Sequence, residues 1–517
     1  MRSGLFLLPL ALFAPIKGLN VLVYLTAPGK SHLQFAERLI SILTEEGHTP
    51  DLILGRINPS VPGKSNARKT VVIDNDPAIW KGIAAKVYDP FEDDSYFNPI
   101  NCNYDQLARM TGKLCENIVD SPQVAELFAN TKYDIALVGG YDFCPFGIAA
   151  TIIEKRPDWP RSSLFGRAFD LAQSFYFRHL HQEHIEHAND LFRSRHGPSF
   201  PDVTDLVSRA SFDYVNTHPL IDEARPTTHR LKTLGGITLK GPKAVGQHFN
   251  AILSRPNSKG TILVSFGTMV PAKLIPARVI DAFTAAFSTF PDYTFLWKLD
   301  GNRTSPLDNV VIEEWFPQTD LLYDPRVVGF VTHVGLNSLT EASFAGVPMI
   351  GMSLLVDQVH NAQQIERLGT GIALDKRFVS ATIVMDALDR LLHDQMYREN
   401  ARSLAEKLRD YPTKGRQEFI ESFEFAAKHK SLHLHLTPSA SGHSLFVHHG
   451  YDAFLVLVVL ASLAFYLPFL FLYSILGASL KRDVSRITVV VPREAARPRA
   501  PPMQPTPFPG NGRGVGW

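Results

Sequence analysis

The sequence predicts an α/β protein of two doubly wound parallel-sheet lobes followed by one C-terminal transmembrane helix. Three observations carry this. Strand, Gly-containing turn and helix alternate from Val21, and a cleaner alternation begins near Thr261. Between Ala453 and Leu476 runs an uncharged, strongly apolar stretch, and about 20 such residues suffice to cross a bilayer core as a helix. At 517 residues the chain exceeds what one core holds.

In chain order, residues 1–18 place Arg2 ahead of an apolar run from Leu5 to Ile16 with small residues near Gly18, the layout of a secretory signal peptide. The first lobe is assigned to residues 19–240. Val21–Thr26 reads as a buried strand, Ala27–Ser31 as a turn, and His32–Glu46 as a helix with Leu33, Ala36, Leu39, Ile40 and Leu43 on one face, ended by Gly47. Strand signals follow at Leu52–Leu54 and Tyr133–Val138, with a His-rich helical stretch at Phe175–His187.

The second lobe is assigned to residues 241–435. Strands are expected at Thr261–Ser265, Tyr293–Lys298, Val310–Trp315, Val327–Thr332 and Met349–Ser353. Helices are expected at Ala277–Phe287, Ser338–Ala345, Gln358–Leu368 and Ala381–Leu392. The spacing of Ser338 and Glu341 predicts a capping box at the helix start. Ligands of such sheets sit outside the carboxyl ends of the strands, where two Gly turns fall, Ser265-Phe266-Gly267-Thr268 and the stretch THVGLNSLTE at 332–341. Glycine admits close backbone approach, and the free N–H groups of a helix start attract an anion, so paired turns point to a diphosphate.

The span at 453–476 tolerates Pro468 and is followed by Lys481, Arg482 and Arg486, which places the tail in the cytosol and the lobes on the lumenal side. Residues 477–517, rich in Pro and Gly, are expected to be disordered. Fifty-two Lys and Arg balance 51 Asp and Glu for a net charge of +1, which excludes a nucleic-acid surface. Cys102, Cys115 and Cys144 fit no zinc motif and allow one bridge with a thiol left over.

Read as one window, WFPQTDLLYDPRVVGFVTHVGLNSLTEASFAGVPMIGMSLLVDQVHN at 315–361 closely resembles the signature of the UDP-dependent glycosyltransferases, the UDP-glucuronosyltransferase superfamily. Its pattern runs W-x-P-Q, then H-x-G-x-N-S with a Glu three residues on, then a D-Q pair. ILVSFGTMV at 262–270, RPTTHRLKTLGGI at 225–237 and HHGYDAF at 448–454 extend the likeness, which is greatest to nematode-like animal members.

The resemblance implies two Rossmann-like lobes of the GT-B type and an inverting transfer from UDP-glucuronic acid, or from UDP-glucose, to a hydroxyl of a small lipophilic acceptor, without metal or other cofactor. It implies Trp315 under the uracil and Gln318 at the uridine. The diphosphate falls to Gly267, Thr268, His333, Gly335, Asn337 and Ser338, the ribose to Glu341, and the sugar hydroxyls to Asp357 and Gln358. It implies residence in the endoplasmic reticulum, with lumenal catalytic lobes. A homo-oligomer is compatible with the sequence, and Asn302-Arg303-Thr304 is an acceptable glycosylation sequon.

His32 matches the family's catalytic base, and a helix start opposes its protonation. The family's orienting acid falls five residues after an aspartate, and counting from Asp134 lands on Gly139. Asp142, three residues on, is the substitute. Either Asp142 serves, or the enzyme is slow, or the chain is a silent member that binds a UDP-sugar or a hydrophobic ligand.

Overall fold

The computed structural model describes residues 18–485 except 28, 76–103, 140–184, 204–205, 207–208, 225–226, 268–274, 300–304, 306, 355, 430 and 437–450. The signal segment, most of the His-rich stretch, Asp142, Thr268, Asn302 and the tail past Ser485 therefore lie outside the described residues.

Among the described residues the first sheet has four parallel strands in the order β3-β2-β1-β4: β1 Asn20–Ala27, β2 Thr49–Arg56, β3 Thr70–Asp74 and β4 Ile135–Val138. Residues 21–27 of β1 are all buried, as a strand covered on both faces requires. Helix α1, Lys30–Glu45, starts two residues earlier than the apolar pattern suggested and buries Leu33, Ala36, Leu39, Ile40, Ile42 and Leu43. Gly47 takes a left-handed φ of 85° just past its end. Helices α2, Tyr104–Val119, and α3, Pro122–Asn130, lead into β4, and Ser121 caps α3 by accepting from Val124 N. Cys115 in α2 is disulfide-bonded.

A two-stranded parallel ribbon, β5 Asp213–Val215 with β6 Leu231–Thr233, leads to the second half of the chain. There α4 (Gln247–Leu253) precedes a six-stranded parallel sheet. Its strands are β7 Thr261–Ser265, β8 Thr294–Lys298, β9 Val310–Glu313, β10 Val327–Thr332, β11 Met349–Met352 and β12 Gly371–Leu374. They lie in the order β12-β11-β10-β7-β8-β9, the doubly wound arrangement in which strand order reverses between β7 and β10. Helices α5 (Ala277–Ser288), α6 (Gln318–Leu322), α7 (Leu336–Ala345), α8 (Val356–Arg367), α9 (Ala381–His393) and α10 (Gln395–Asp410) accompany it. Phe283, Phe287, Phe295 and Trp297 fill one face, while Phe330, Leu339, Ile365 and Leu404 fill the other.

Helix α11, Gly415–Lys428, returns to the first sheet. Its Phe419 and Phe423 are buried among Val21, Leu39, Ile40 and Leu54. Around them Tyr214 Oη lies 3.0 Å from Ser422 Oγ, Lys232 Nζ reaches Glu418 at 2.6 Å, and Arg416 pairs with Glu45 and Glu46 at 2.6 and 2.7 Å. Residues 1–437, which hold both sheets, form one compact unit.

Residues 438–517 form a second unit. It contains α12, Tyr451–Ser485, with Pro468 inside it and an apolar span at Phe454–Leu476 of mean hydropathy 2.6. The helix continues through Lys481 and Arg482, so the nine residues after 476 are helical, not disordered. The backbone pairs its own polar groups there, whatever surrounds the side chains.

Deleting the Phe419 ring leaves a cavity between α11 and the first sheet and is expected to cost about 3–5 kcal/mol. Arg416→Ala, at an exposed ion pair, is expected to cost under ~1 kcal/mol. Urea titration of the two variants in detergent checks the contrast.

Candidate functional site

The strand order reverses where β7 and β10 lie side by side, with Ser265 and Thr332 as register partners at their carboxyl ends. Two turns therefore leave the sheet together. Gly267 has φ 81°, and Val334, a buried β-branched residue, has φ 55°. That left-handed conformation costs a branched side chain about 1–3 kcal/mol and persists only where the surroundings over-determine it. Here Val334 N donates to Thr332 Oγ1 at 3.2 Å and Val334 O accepts from Asn361 Nδ2 at 2.9 Å. Its side chain occupies the space that a Cβ on Gly351 would need, 2.7 Å away.

The strained residue turns His333 back between the two glycines. A Cβ on Gly267 would lie 2.5 Å from His333 Nε2, and one on Gly335 would lie 2.6 Å from the same atom. A side chain at either position would displace this imidazole, and at Gly267 the left-handed φ favours glycine as well. Burial pushes the His333 pKa down to about 4, helped by the positive charge of Lys298 and opposed by a backbone hydrogen bond at Ser265. The ring is neutral at physiological pH. Lys298, at the end of β8, donates from Nζ to Gly267 O at 3.3 Å.

The expected capping box does not form. Helix α7 begins at Leu336 with Gly335 as its N-cap and no side-chain cap, which leaves the first N–H groups of a ten-residue helix aimed at the turn. Ser338 and Glu341 lie inside the helix, three apart on one face. Both meet Gln318 instead, whose Nε2 donates to Ser338 Oγ at 3.1 Å and Glu341 Oε2 at 2.6 Å. Burial raises the Glu341 pKa, against hydrogen bonds from Gln318 and Thr319. Asn337 is half-buried beside them. Strand β9 ends at Glu313, so Trp315 lies past it with 66% of its surface exposed, while its neighbour Phe316 is buried.

The D-Q pair divides. Gln358 is 4% exposed, and its Oε1 accepts from Leu354 N at 2.8 Å. Asp357, in the first turn of α8, is half-buried, accepts from Asn361 Nδ2 at 3.4 Å and sets up a field at His32 of the first sheet.

His32 lies one turn into α1, after the β1 end, and α1 too has a glycine N-cap, Gly29, without a side-chain cap. Burial lowers the His32 pKa, and the Asp357 charge and a backbone hydrogen bond at Gly29 act the other way. Burial outweighs both and favours the neutral imidazole. Gly139 follows β4 and donates its N–H to Tyr24 O at 2.8 Å. A Cβ there would lie 3.2 Å from Leu25 Cδ1, so any side chain at 139 would crowd β1.

The model of the family described as "UDP-glucoronosyl and UDP-glucosyl transferase" matches residues 106–477. The chain belongs to this family. It is 26% identical to a Caenorhabditis briggsae protein described as putative UDP-glucuronosyltransferase ugt-47, over 89% of this chain and 93% of that one. It is 25% identical to UDP-glucosyltransferase 2 of Dactylopius coccus, over 83% and 88%. Human UDP-glucuronosyltransferase 1A5 is 31% identical over 56% of this chain and 54% of that one. Among solved structures, the calicheamicin glycosyltransferase CalG4 superposes with a TM-score of 0.55 at 17% identity, covering 80% of this chain and 98% of that one. The fold is GT-B, and the protein is a glycosyltransferase.

Sequence reading had overlooked three residues of this glycosyltransferase site: Lys298, Val334 and Asn361. Lys298 had a legible signal, a lone charge ending the apolar strand Thr294–Lys298 at the same sheet edge. Val334 and Asn361 had none, because each acts through a backbone conformation.

Gly267→Ala and Gly335→Ala are each expected to weaken UDP binding at least about tenfold by displacing the imidazole, equivalent to about 1.4 kcal/mol, with calorimetry as the readout. His333 is neutral when folded and protonates near 6.5 when unfolded, so folding stability falls as pH drops from about 6.5 to about 4. His333→Asn is expected to flatten that slope in part, leaving the contribution of His218, whose pKa is also lowered to about 4 by burial and by Lys414.

Proposed function

We propose that this glycosyltransferase moves glucuronic acid from UDP-glucuronic acid to a hydroxyl of a small lipophilic acceptor, with inversion at the anomeric carbon. The observation that carries the reading is the convergence at one sheet edge of an uncapped helix start, a neutral imidazole wedged between two glycine turns, and the Lys298 ammonium. In the reading, the N–H groups of α7, His333 and Lys298 take the diphosphate. Glu341, already paired with Gln318, accepts the ribose hydroxyls, and the exposed Trp315 indole covers the uracil. Asp357, at the start of α8, takes the sugar hydroxyls. Gln358, with its carbonyl oxygen engaged at Leu354 N, shapes the loop that presents Asp357.

His32 takes the proton of the acceptor hydroxyl as that oxygen bonds to the anomeric carbon. The bond from that carbon to the diphosphate breaks, and UDP leaves with its electron pair. A neutral, half-buried imidazole suits the task. The Asp357 charge stabilises the imidazolium that forms, a role that supports a base lacking an acid at position 139. The match to both glucuronosyl and glucosyl relatives keeps UDP-glucose as the second donor reading. The apolar helix Phe454–Leu476 anchors the enzyme in a membrane in this account, with the sheets on the lumenal side.

Microsomes supplied with labelled UDP-glucuronate or UDP-glucose and a panel of phenols test the proposal. Turnover with glucuronate exceeding that with glucose is expected, and His32→Ala is expected to reduce it about 10²–10⁴-fold. UDP binding without turnover of either donor supports a silent binder instead. In the same assay unchanged activity of Asp142→Asn removes that residue from the mechanism.

A further inference from the structure

Helix α8 presents Asp357 and Gln358 from its first turn, and the segment between the two sheets holds that helix at two levels. His360 Nε2 lies 2.8 Å from Asp222 Oδ1, and the imidazole is only 2% exposed. Arg367 Nη2 donates to the carbonyls of Ile221 at 3.1 Å and of Asp222 at 3.2 Å. His360 and Arg367 are seven residues apart, two helical turns or about 10 Å along one face. Residues 221 and 222 therefore clamp α8 lengthwise. The clamp reaches the donor side directly, because Asn361, next to His360, donates to both Asp357 Oδ2 and Val334 O.

Apolar packing alone does not set this register. Ile221 packs in the cluster that holds Ala362 and Ile365, and the hydrophobic drive behind such contacts is non-directional. Beside them lies a cavity of about 10 Å³, lined by Ile221, Leu336 and Leu339 as well as by Asp222, Asn361 and Gln364, so polar and apolar groups share this seam. In such a seam the hydrogen bonds fix direction and spacing along the helix axis that apolar contact alone leaves less sharply defined. The imidazole donates from Nε2 to a carboxylate, the stronger class of hydrogen bond.

The geometry points to Asp222 and His360 as a positioning pair that, through α8, sets Asp357 against the donor sugar while leaving the nucleotide end to other elements. This rests on the donor reading above. UDP itself would be gripped by Trp315, Gln318, Glu341 and the turn at His333, none of which lies on α8; the one tie from α8 to that turn, Asn361 Nδ2 to Val334 O, is backed by the Thr332 hydroxyl on Val334 N and by packing of Val334 against Gly351, which do not depend on α8. Loss of the pair should therefore separate two affinities that an unspecific packing defect would lower together.

The test uses the full-length membrane-embedded enzyme, with UDP-glucuronate and UDP-glucose as donors and UDP as competing inhibitor. His360→Ala and Asp222→Ala are each expected to raise KM for the UDP-sugar about tenfold, with the UDP inhibition constant changed by less than about twofold. The double variant should be no worse than either single one, and His360→Gln, which keeps a donor for Asp222, should recover most of the loss. Equal loss of UDP and UDP-sugar affinity, or single effects that add, overturns the pair. If the alanine variants fail to fold, Asp222→Asn gives the same ratio of KM to inhibition constant, and an unchanged ratio overturns the proposal. A wild type that turns over UDP-sugars while these variants match it refutes the positioning pair alone. A wild type that binds UDP yet gains no affinity from an attached sugar refutes the donor reading first, and the positioning pair with it.

Discussion

The His333 imidazole sits between two glycines in the turns that leave neighbouring strands β7 and β10, and much of this edge of the second sheet is arranged to keep it there. A ring that approaches two backbones this closely would have to move for any side chain at 267 or 335, and it stands beside a residue, Val334, that reverses the chain between His333 and Gly335. Val334 makes the reversal in a left-handed conformation that a branched side chain resists. Burial of that side chain against Gly351, and the Asn361 amide on its carbonyl, hold it. One imidazole thus ties β7, β10, β11, α7 and α8 together at the switch point.

Side-chain caps are sparse among the described helices, and α4, α5, α6 and α11 start without one. Only Ser121, Ser380 and Asp394, among the described N-caps, accept from the first N–H groups of their helices, α3, α9 and α10. At the switch points of the two sheets the N-caps are Gly29 and Gly335, without side-chain caps. An oxygen ligand of the enzyme can supply what a cap would otherwise supply. Both sites carry a histidine that burial holds neutral, so one can accept a proton and the other can donate a hydrogen bond at physiological pH.

The field of Asp357 at His32 shows that the two sheets contribute to one electrostatic site. Their joint arrangement rests on α11, whose phenylalanines complete the core of the first sheet although they lie in the last third of the sequence, and on residues 221–222, which grip α8. Gly139 is consistent with this division of labour. Leu25 crowds the position beside β1, and a carboxylate acts on His32 from the opposite sheet.

Sequence alone determined the α/β class, the parallel strands, the apolar C-terminal helix and the two glycine turns, because these follow from local apolar periodicity and from turn chemistry that short stretches encode. It also left His333, Gly335 and Asn337 as residues beyond what the helix start needs, while Trp315, Gln318, Glu341 and Asp357 drew their expected ligand roles from the family resemblance alone. Ser338 and Glu341 misled as a capping box, since three-residue spacing serves equally a cap and a helix face turned toward Gln318. Strand β9 ended before Trp315, and α12 ran nine residues past its apolar span, because boundaries depend on hydrogen bonds that composition does not show. Only the tertiary structure decided that both glycines serve one ring, that Val334 bears the strain, that Gln358 is buried and that Asp357 acts on His32. Gly267 with His333, Val334 with Gly351 and Asn361, and Asp357 with His32 are approaches between segments well separated in the chain, and such distances are set by packing, which no local pattern specifies.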